Sequence, residues 1–298
     1  MNGRNPRQTE IDSICLLGFG EVGQTLAADL ADTKLTAYDI LFADDHSAPS
    51  KALKSSAVQK CDTAIEAAEN CDLIISAVTA AEDLNAAESV AGAVSRGSYF
   101  LDLNSVAPHT KESAARIIDS SGGRYVEAAV MSPIAPKRIA SPMLLGGPYA
   151  SEFKALAVSL GFSGATVYSE RIGGASAAKM CRSIVVKGIE SLLSESMLTA
   201  RHYHVEEDVL QSLGDLFPGI DWPELARYMI SRSVEHGTRR AEEMREVVAT
   251  VADAGLAPLM SEACARRQEW AASFKNELRH ETLTEMLDAM LSNANKSS

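Results

Sequence analysis

Two different hydrophobic patterns divide the chain. Up to about residue 170, short β-branched runs alternate with segments whose apolar residues recur every three to four positions. After Gly173, long stretches rich in Ala, Leu, Met, Glu and Arg follow at helical spacing. The change predicts an α/β domain over residues 1–170 and an all-α domain over residues 171–298.

The alternation in the first half predicts parallel strands joined by right-handed helical crossovers, as in a Rossmann-like doubly wound sheet. The predicted strands are Ile11–Leu17, Lys34–Asp39, Asp72–Val78, Ser98–Asn104, Arg124–Met131, Pro142–Gly147 and Ala165–Ser169. The predicted helices are Val22–Ala31, Thr63–Asn70, Glu82–Val94, His109–Ser120 and Ser151–Leu160, each near a residue that favours a helix start.

The second half is predicted to be built on one long central helix. It extends from Ala175 to about Tyr203, roughly 40 Å at 1.5 Å per residue. Its apolar residues leave little polar face, so we expect it to be buried from more than one side. Only Asn293–Ser298 have the composition of a frayed tail.

Composition excludes several classes of protein. The chain is 46% hydrophobic and 23% charged, which is typical of packed globular proteins. Its formal net charge of −12 disfavours a nucleic-acid partner. The polar start and the absence of an apolar span or CxxC pair favour a cytoplasmic protein without membrane contact. His202 and His204 face different sides of a helix, so no metal site is predicted.

The clearest local motif is Gly18-Phe19-Gly20-Glu21-Val22-Gly23, a GxGxxG between a predicted strand and a predicted helix. In that context Gly18 makes the tight turn, Gly20 lets the backbone approach a pyrophosphate, and Gly23 allows close helix packing. The helix N-terminus then presents free N–H groups to the phosphates. These six residues are the predicted dinucleotide site.

Asp39 ends the next predicted strand, 19 residues after Gly20. This is near the spacing at which an acid binds the adenosine ribose hydroxyls. Its charge would repel a 2′-phosphate, and Ile40 and Leu41 follow where an NADP site would want Arg, so NAD is favoured over NADP. A turn acid at Asp39, a Rossmann scaffold that binds no ligand, and FAD stay as alternatives.

Lys179 lies near the start of the long apolar helix, with Arg182 three residues later. Desolvation and a neighbouring cation both favour a neutral amine, which can accept a proton near pH 7. Oxidation of an alcohol needs such a base because the hydroxyl proton must leave as the hydride does. The alternative is a structural lysine that reaches solvent beside a surface Arg182.

The motifs together resemble the β-hydroxyacid dehydrogenases, the superfamily of 3-hydroxyisobutyrate and 6-phosphogluconate dehydrogenases. The resemblance rests on GxGxxG, the segment Glu127–Pro133 (EAAVMSP), and the glycine-marked entry to the helix of Lys179. It is strongest to an uncharacterised branch with K-M-x-R-S-x-x-x-K-G-I-E and H-G-x-R-R-A-x-E-M, matched here by Lys179–Glu190 and His236–Met244. It implies that Lys179 is the catalytic acid/base and that helical domains pair in a homodimer.

The resemblance also suggests residues that contact the nicotinamide or the substrate. Asp102-Leu-Asn104-Ser105 resembles the D-x-S-T segment beside the nicotinamide. Val78 and Thr79 are candidates by position, because they stand at the carboxyl end of the preceding predicted strand, where ligands bind in doubly wound sheets; packing at the strand end is the alternative. The superfamily's carboxylate-binding D-A-P-V-S-G-G reads differently here, with Met131, Ser132 and Pro133 at its end, and Ser183 stands in place of an asparagine. Further substrate candidates are Arg182, His236, Arg239 and Arg240, of which the two adjacent arginines equally fit an exposed helix face.

The sequence therefore predicts an NAD-dependent dehydrogenase that acts on a small hydroxy acid or related alcohol. The departures in the substrate segments leave the substrate open. An NAD(P)H-dependent imine reductase is the rival enzyme, although imine-reducing relatives usually replace the lysine. A dinucleotide-binding protein without turnover is the rival outside enzymes.

Overall fold

The computed structural model describes residues 10–294, so the polar N-terminal segment and residues 295–298 of the expected tail lie outside it. The chain divides into two compact units, of which the first ends at Lys179 and the second begins at Met180. This boundary lies inside a helix, whereas the sequence places a domain boundary after residue 170. Within the described residues, no helix is both long enough and apolar enough to cross a membrane.

Unit 1 is built on one eight-stranded sheet. The strands are β1 (Ser13–Leu17), β2 (Lys34–Tyr38), β3 (Gln59–Lys60), β4 (Leu73–Ser76), β5 (Tyr99–Asp102), β6 (Arg124–Val130), β7 (Met143–Gly146) and β8 (Ala165–Ser169). Their order is β3-β2-β1-β4-β5-β6-β7-β8, and every neighbouring pair is parallel except β6 with β7. The predicted doubly wound sheet is confirmed, with the strand order reversing at β1 and β4.

Both faces of this sheet are covered. Ile14 and Leu16 of β1 belong to one buried apolar cluster, and Cys15 and Leu17 belong to the other. The helices of unit 1 are α1 (Glu21–Asp29), α2 (Ala48–Leu53), α3 (Ala64–Ala68), α4 (Asp83–Val90), α5 (Pro108–Ser120), α6 (Ile134–Lys137) and α7 (Ala150–Ser159). The five predicted helices are all present. Strand β3 and helices α2 and α6 were not predicted.

Unit 2 is helical. The long predicted helix is α8 (Gly174–His202), followed by α9 (Glu206–Leu216), α10 (Trp222–Asp253), α11 (Leu259–Ala271), a 3-10 segment (Ala272–Arg279) and α12 (Leu283–Ala294). Helices α10 and α11 approach closely at Gly237, where an added Cβ would lie 2.3 Å from the Gln268 carbonyl oxygen.

The surface of α8 differs from the expected one. We expected a helix that is apolar nearly all round, but its buried side contains Ser183, Lys187 and Glu190. Its apolar residues Val185 and Leu192 are instead about three-fifths exposed, at 61% and 60%. The expectation of an almost wholly apolar helix is wrong, because the buried side of α8 combines apolar residues such as Met180, Leu193 and Met197 with polar residues that have specific partners, described below.

Candidate functional site

The glycine-rich turn between β1 and α1 has the geometry that binds a dinucleotide. Gly18 has a φ of 89°, and a Cβ there would lie 2.4 Å from the Ala77 carbonyl oxygen. A Cβ on Gly23 would lie 2.2 Å from the Gly18 carbonyl oxygen, so both positions require glycine. At Gly20, by contrast, a Cβ would meet open space. That space lies at the N-terminus of α1, where a pyrophosphate would be held by backbone N–H groups.

Asp39 follows β2 beside this turn. One carboxylate oxygen accepts a hydrogen bond from the Phe19 backbone N–H at 2.7 Å, and the other accepts one from Leu41 N–H at 2.8 Å. Ile40 is 62% exposed, and residues 40–43 contain no cation. The acid is therefore oriented by the turn, and each of its oxygens keeps a lone pair that can accept from a ribose hydroxyl.

The other predicted residues of the turn differ in how far their side chains are exposed. Phe19 has a buried side chain that packs in the core, so only its backbone borders the site. Glu21 is exposed and Val22 is partly buried at the start of α1.

The ends of β4 and β5 lie at the same edge of the sheet and are tied together by Asn104. Its side-chain oxygen accepts from the Val78 backbone N–H at 2.8 Å. Its amide nitrogen donates to Ser76 Oγ at 2.9 Å and to Asp83 Oδ1 at 2.7 Å. Both side-chain N–H groups are therefore used inside the protein. Asn104 fixes the segment of Val78 and the exposed Thr79, and its amide has no donor left for a ligand.

Lys179 lies at this edge of the sheet. Its Nζ donates to Ser105 Oγ at 2.5 Å, and the side chain is half-buried. A lysine on a helix directs its side chain toward the helix N-terminus, which brings the amine back to the end of β5. This contact argues against a structural lysine that extends into solvent.

The first turn of α8, which precedes Lys179, is held by Glu127. This β6 residue is fully buried, and its two oxygens accept from Gly173 N–H at 2.7 Å and from Ser176 N–H at 2.5 Å. Gly146 makes room for it, because a Cβ there would lie 2.5 Å from Glu127 Oε2. Burial raises the pKa of Glu127, and the nearby Lys111 and the two N–H donors oppose that shift.

Two more buried carboxylic acids, Asp102 and Asp83, lie near the same edge of the sheet. Asp102 pairs with Lys111 at 2.6 Å and accepts from the Tyr125 hydroxyl at 2.6 Å. Asp83 lies beside it, and burial together with the charge of Asp102 raises the pKa of Asp83 to about 7. Burial, and then Asp102, also raises the pKa of Tyr125 well above its ordinary value. Of these residues the sequence pointed only to Asp102, as part of the D-x-S-T-like segment. Asp83, Lys111 and Tyr125 were not predicted, because only the sheet topology brings them to Asp102.

The substrate candidates of unit 1 follow β6. Met131 uses its backbone N–H on the Pro142 carbonyl at 2.8 Å. Ser132 is half-buried and its Oγ donates to the Pro133 carbonyl at 3.1 Å. Ser132 thus keeps lone pairs, while Met131 has no free donor, as its side chain already implied.

The substrate candidates of unit 2 separate into exposed and buried residues. Arg182 is exposed, whereas Ser183 is buried and accepts from Lys187 Nζ at 3.3 Å. Arg239 is exposed and pairs with Glu243 one turn later, as in an ordinary helix face. His236 is partly buried, and burial followed by the charge of Arg232 lowers its pKa.

Arg240 has a different environment from the predicted one. Its guanidinium contacts both carboxylate oxygens of Glu190, which is 1% exposed. Gln268 also donates to Glu190, at 3.0 Å. Because its guanidinium is already paired with Glu190, Arg240 fits a structural role better than the binding of an acidic substrate. Lys187 forms a second ion pair nearby, with Glu243 at 2.6 Å.

These two ion pairs join the two sequence segments of the branch, Lys179–Glu190 and His236–Met244. Both segments are part of the superfamily resemblance, but no role was predicted for Lys187, Glu190 or Glu243. The available signal was the pair of charged residues in each segment, Lys187 with Glu190 and Arg240 with Glu243. Charged residues on a buried helix face require partners of opposite charge, and here each residue finds its partner on the other helix.

The strand–turn–helix, the acid after β2 and the residues at the ends of β4 and β5 define a Rossmann-type dinucleotide-binding protein. A family model of the NAD binding domain of 6-phosphogluconate dehydrogenase matches residues 13–170, and a domain of unknown function (DUF1932) matches residues 200–271. The chain belongs to the β-hydroxyacid dehydrogenase superfamily. Its cofactor class is accordingly a nicotinamide dinucleotide.

Three relatives illustrate the likeness. A conserved hypothetical protein from Sinorhizobium meliloti 1021 is 33% identical with a TM-score of 0.75, over 96% of this chain and 97% of that one. Rat mitochondrial 3-hydroxyisobutyrate dehydrogenase is 23% identical over 57% of this chain and 51% of the rat protein. A Mycobacterium tuberculosis 3-hydroxyisobutyrate dehydrogenase, solved with L-serine, has a TM-score of 0.70 at 19% identity, over 94% and 99% of the chains. That last likeness shows the shared fold. The family model and the rat relative support an oxidoreductase like the hydroxyacid dehydrogenases.

Proposed function

We propose that this protein is an NAD-dependent dehydrogenase that transfers a hydride between a small hydroxy acid, or a related alcohol, and NAD, with Lys179 as general acid/base. The observation that carries the proposal is the 2.5 Å hydrogen bond from Lys179 Nζ to Ser105 Oγ. It holds the amine at the carboxyl edge of the sheet, where dinucleotide-binding folds of this type hold their ligands.

The residues at this edge of the sheet can each take a different role in the reaction. NAD supplies the hydride acceptor at its nicotinamide. In the oxidation, Lys179 takes the hydroxyl proton as the carbonyl forms, and in the reverse reaction the ammonium returns it. Ser105 accepts a hydrogen bond from the amine and so holds it in place. Asn104 fixes the loop of Val78 and Thr79, which would border the nicotinamide.

We further propose NAD, rather than NADP, as the cofactor. Asp39 keeps acceptor capacity on both oxygens beside the turn, and residues 40–43 supply no cation for a 2′-phosphate. A carboxylate at that position repels a phosphate and accepts from two ribose hydroxyls. The open space at Gly20 fits the pyrophosphate.

For the substrate we propose a small, carboxylate-bearing molecule oriented by Ser132, Arg182 and Ser183. Arg182 is exposed, and a guanidinium can bind a carboxylate through two parallel hydrogen bonds. Ser132 is half-buried after β6 and retains lone pairs. Ser183 occupies the place of the superfamily's asparagine, with a shorter side chain.

The experiment that tests the function is a screen of hydroxy acids and polyols with NAD, followed at the NADH absorbance. Lys179→Met is then compared with the parent on any substrate found. It keeps length and packing but removes the proton acceptor, so NADH should still bind while kcat falls by about 100-fold or more. Lys154→Met, on the exposed side of α7, is the matched control. Turnover by Lys179→Met within about threefold of the parent would refute the role of Lys179.

The same screen separates the rival functions. Ketone plus amine with NADPH or NADH would reveal an imine reductase, and retention of Lys179 argues for alcohol and carbonyl chemistry instead. A protein that binds NADH tightly but turns over no hydroxy acid, polyol or imine would be a dinucleotide-binding protein without catalysis.

We also propose a cytoplasmic homodimer that buries the exposed stripe of α8. Val185, Ile189 and Leu192 recur at i, i+4 and i+7, so they share one helix face, and they are 61%, 36% and 60% exposed. A second copy can cover this face with the same residues, as a two-fold interface requires. Light scattering should give a dimer mass at micromolar concentration and a monomer for Leu192→Glu. A parent that is monomeric would refute it.

A further inference from the structure

We propose that Glu127 is a positioning residue that fixes the start of α8 and holds the proton affinity of Lys179 high through its buried negative charge. The catalytic consequence rests on the function proposed above. The electrostatic relation between the two side chains does not, and it can be measured on the protein without a substrate.

The geometry places Glu127 directly beneath the turn that carries Lys179. Its oxygens bind the N–H groups of Gly173 and Ser176, which begin α8, and Ser176 Oγ donates to the Val106 carbonyl. Lys179 follows Ser176 by three residues, and its side chain turns back toward the same helix end to reach Ser105. A shorter acid at position 127 could not reach both N–H groups from the same backbone.

The N-terminal end of α8 and the buried Glu127 act on the Lys179 amine with opposite electrostatic effects. The N-terminus of a helix has a partial positive charge, which disfavours an ammonium held within about one turn of that end. Lys179 lies in the second turn of α8, but its side chain turns back toward the helix N-terminus to reach Ser105, so this field would lower the proton affinity of its amine. The Glu127 carboxylate is fully buried and bonded to two N–H groups at that end, so its negative charge opposes this field.

The other charged groups around Glu127 do not cancel its effect. Lys111 on α5 faces it, but Lys111 pairs with Asp102 of β5 at 2.6 Å. Glu112 on α5 approaches the same helix start, where its Oε1 would lie 3.5 Å from a Cβ on Gly173, and it is exposed. Tyr125 of β6 donates to Asp102 and is neutral at pH 7. Glu127 is thus the buried anion bonded to the start of α8.

The test is the pH dependence of Lys179 acetylation, measured by competitive labelling with acetic anhydride and mass spectrometry. Glu127→Gln keeps the size of the side chain and removes its charge. At a separation on the order of 10 Å and an effective dielectric between those of a protein surface and water, the labelling midpoint should fall by about 0.3–1 pH unit. Glu66→Gln is the matched control, because Glu66 is an exposed acid that accepts from the Asp62 N–H at the start of α3.

Glu127→Asp separates position from charge. It should leave the labelling midpoint within about 0.2 pH unit of the parent, yet speed amide hydrogen exchange over residues 173–177 at least about fivefold. NADH binding and circular dichroism establish that each variant is folded. Once a substrate is known, the acid limb of kcat/KM for Glu127→Gln should move to lower pH with the labelling midpoint.

An unchanged midpoint in folded Glu127→Gln would overturn the electrostatic proposal, and unchanged hydrogen exchange in Glu127→Asp would overturn the positioning one. If Glu127→Gln does not fold, the exchange measurement on Glu127→Asp decides. A parent that turns over no substrate would refute the proposed function alone, because the labelling midpoints would still shift.

Discussion

Replacement of Arg240 by Met tests whether the ion pair inside unit 2 is structural. The side chain of Arg240 is 12% exposed, and it pairs with Glu190, whose side chain is 2% exposed. The substitution keeps most of the apolar stem and removes the guanidinium. Glu190 would retain Gln268 at 3.0 Å and the more distant charge of Lys187. The variant therefore buries a carboxylate without its main partner.

The expected loss is large. Removal of one partner from a buried ion pair destabilises a protein by about 3–5 kcal/mol, whereas exposed pairs contribute about 0–1 kcal/mol. Arg245→Met is the matched control, since Arg245 lies on the same helix and pairs with Glu269 at 2.9 Å, with both side chains more than half exposed. The double variant Glu190→Met with Arg240→Met should recover most of the stability, because neither charge is then left buried.

The sign of the pH dependence follows from Glu190. Burial raises its pKa in the folded protein, and Arg240 opposes that shift. Without Arg240 the folded state holds the proton more tightly than the unfolded chain, whose carboxyl titrates near 4.3. Stability is then lost as the pH rises from that value through the folded pKa. The deficit of Arg240→Met should be larger at pH 7.5 than at pH 5.

Urea unfolding followed by tryptophan fluorescence measures this directly. The chain has two tryptophans, Trp222 and Trp270, and both belong to unit 2, so the signal reports on the helical unit. A deficit below about 1 kcal/mol at pH 7.5, equal to that of the control, would refute the reasoning. In that case Arg240 would again be a candidate for the acidic substrate.

Two further predictions concern the cofactor. The double variant Asp39→Ala with Ile40→Arg should prefer NADP more than the parent does, because it removes a repulsive charge and supplies a phosphate ligand. The measurement is the NAD:NADP ratio of kcat/KM or of dissociation constants. If this ratio is the same in the variant and the parent, Asp39 does not contact the ribose. Gly23→Ala should lower both the melting temperature and the affinity for NADH, because the new Cβ would lie 2.2 Å from a backbone oxygen. In Gly20→Ala the new Cβ meets open space, so this variant should bind NADH more weakly but keep its melting temperature within about 2 °C of the parent. Equal effects of the two alanines on stability would contradict the assignment of the glycines.

The sequence predicted the parts of the site whose signals are local. Gly18 and Gly23 have no room for a side chain, Gly20 leaves open space for the pyrophosphate, and the three lie at the fixed spacing of a known motif. Asp39 was predicted from its position at the end of the next strand. The strand order of a doubly wound sheet then brings the ends of β1, β2, β4 and β5 to one edge. Lys179 came from the superfamily resemblance, and its contact with Ser105 joins residues 74 positions apart.

The unpredicted parts depend on partners far away in the sequence. Glu190 meets Arg240 at a separation of 50 residues and Gln268 at 78, and no periodic pattern encodes such pairs. Hydropathy instead suggested that the buried side of α8 is apolar. A buried charge is stable only with its partner, so the pattern of a single helix cannot reveal it.

The last prediction concerns Asp83, where a raised pKa converts into a pH-dependent stability of unit 1. Burial, and then the charge of Asp102, raises the pKa of Asp83 to about 7, while an unfolded Asp titrates near 3.9. The folded state therefore holds a proton that the unfolded chain releases. The contribution of Asp83 to stability is greatest below about pH 4, is lost as the pH rises to about 7, and is constant above that.

Asp83→Asn removes this dependence and keeps the oxygen that accepts from Asn104. Relative to the parent, it should change stability little at pH 4.5 and raise it by about 2–4 kcal/mol at pH 8. Hydrogen exchange of the β4 and β5 peptides, corrected for intrinsic rates, reports on unit 1. Asp44→Asn, an exposed acid, is the control and should show no such difference. If Asp83→Asn is no more stable than the parent at pH 8, Asp83 is ionised in the folded protein at that pH without cost, and its neighbours must stabilise the charge.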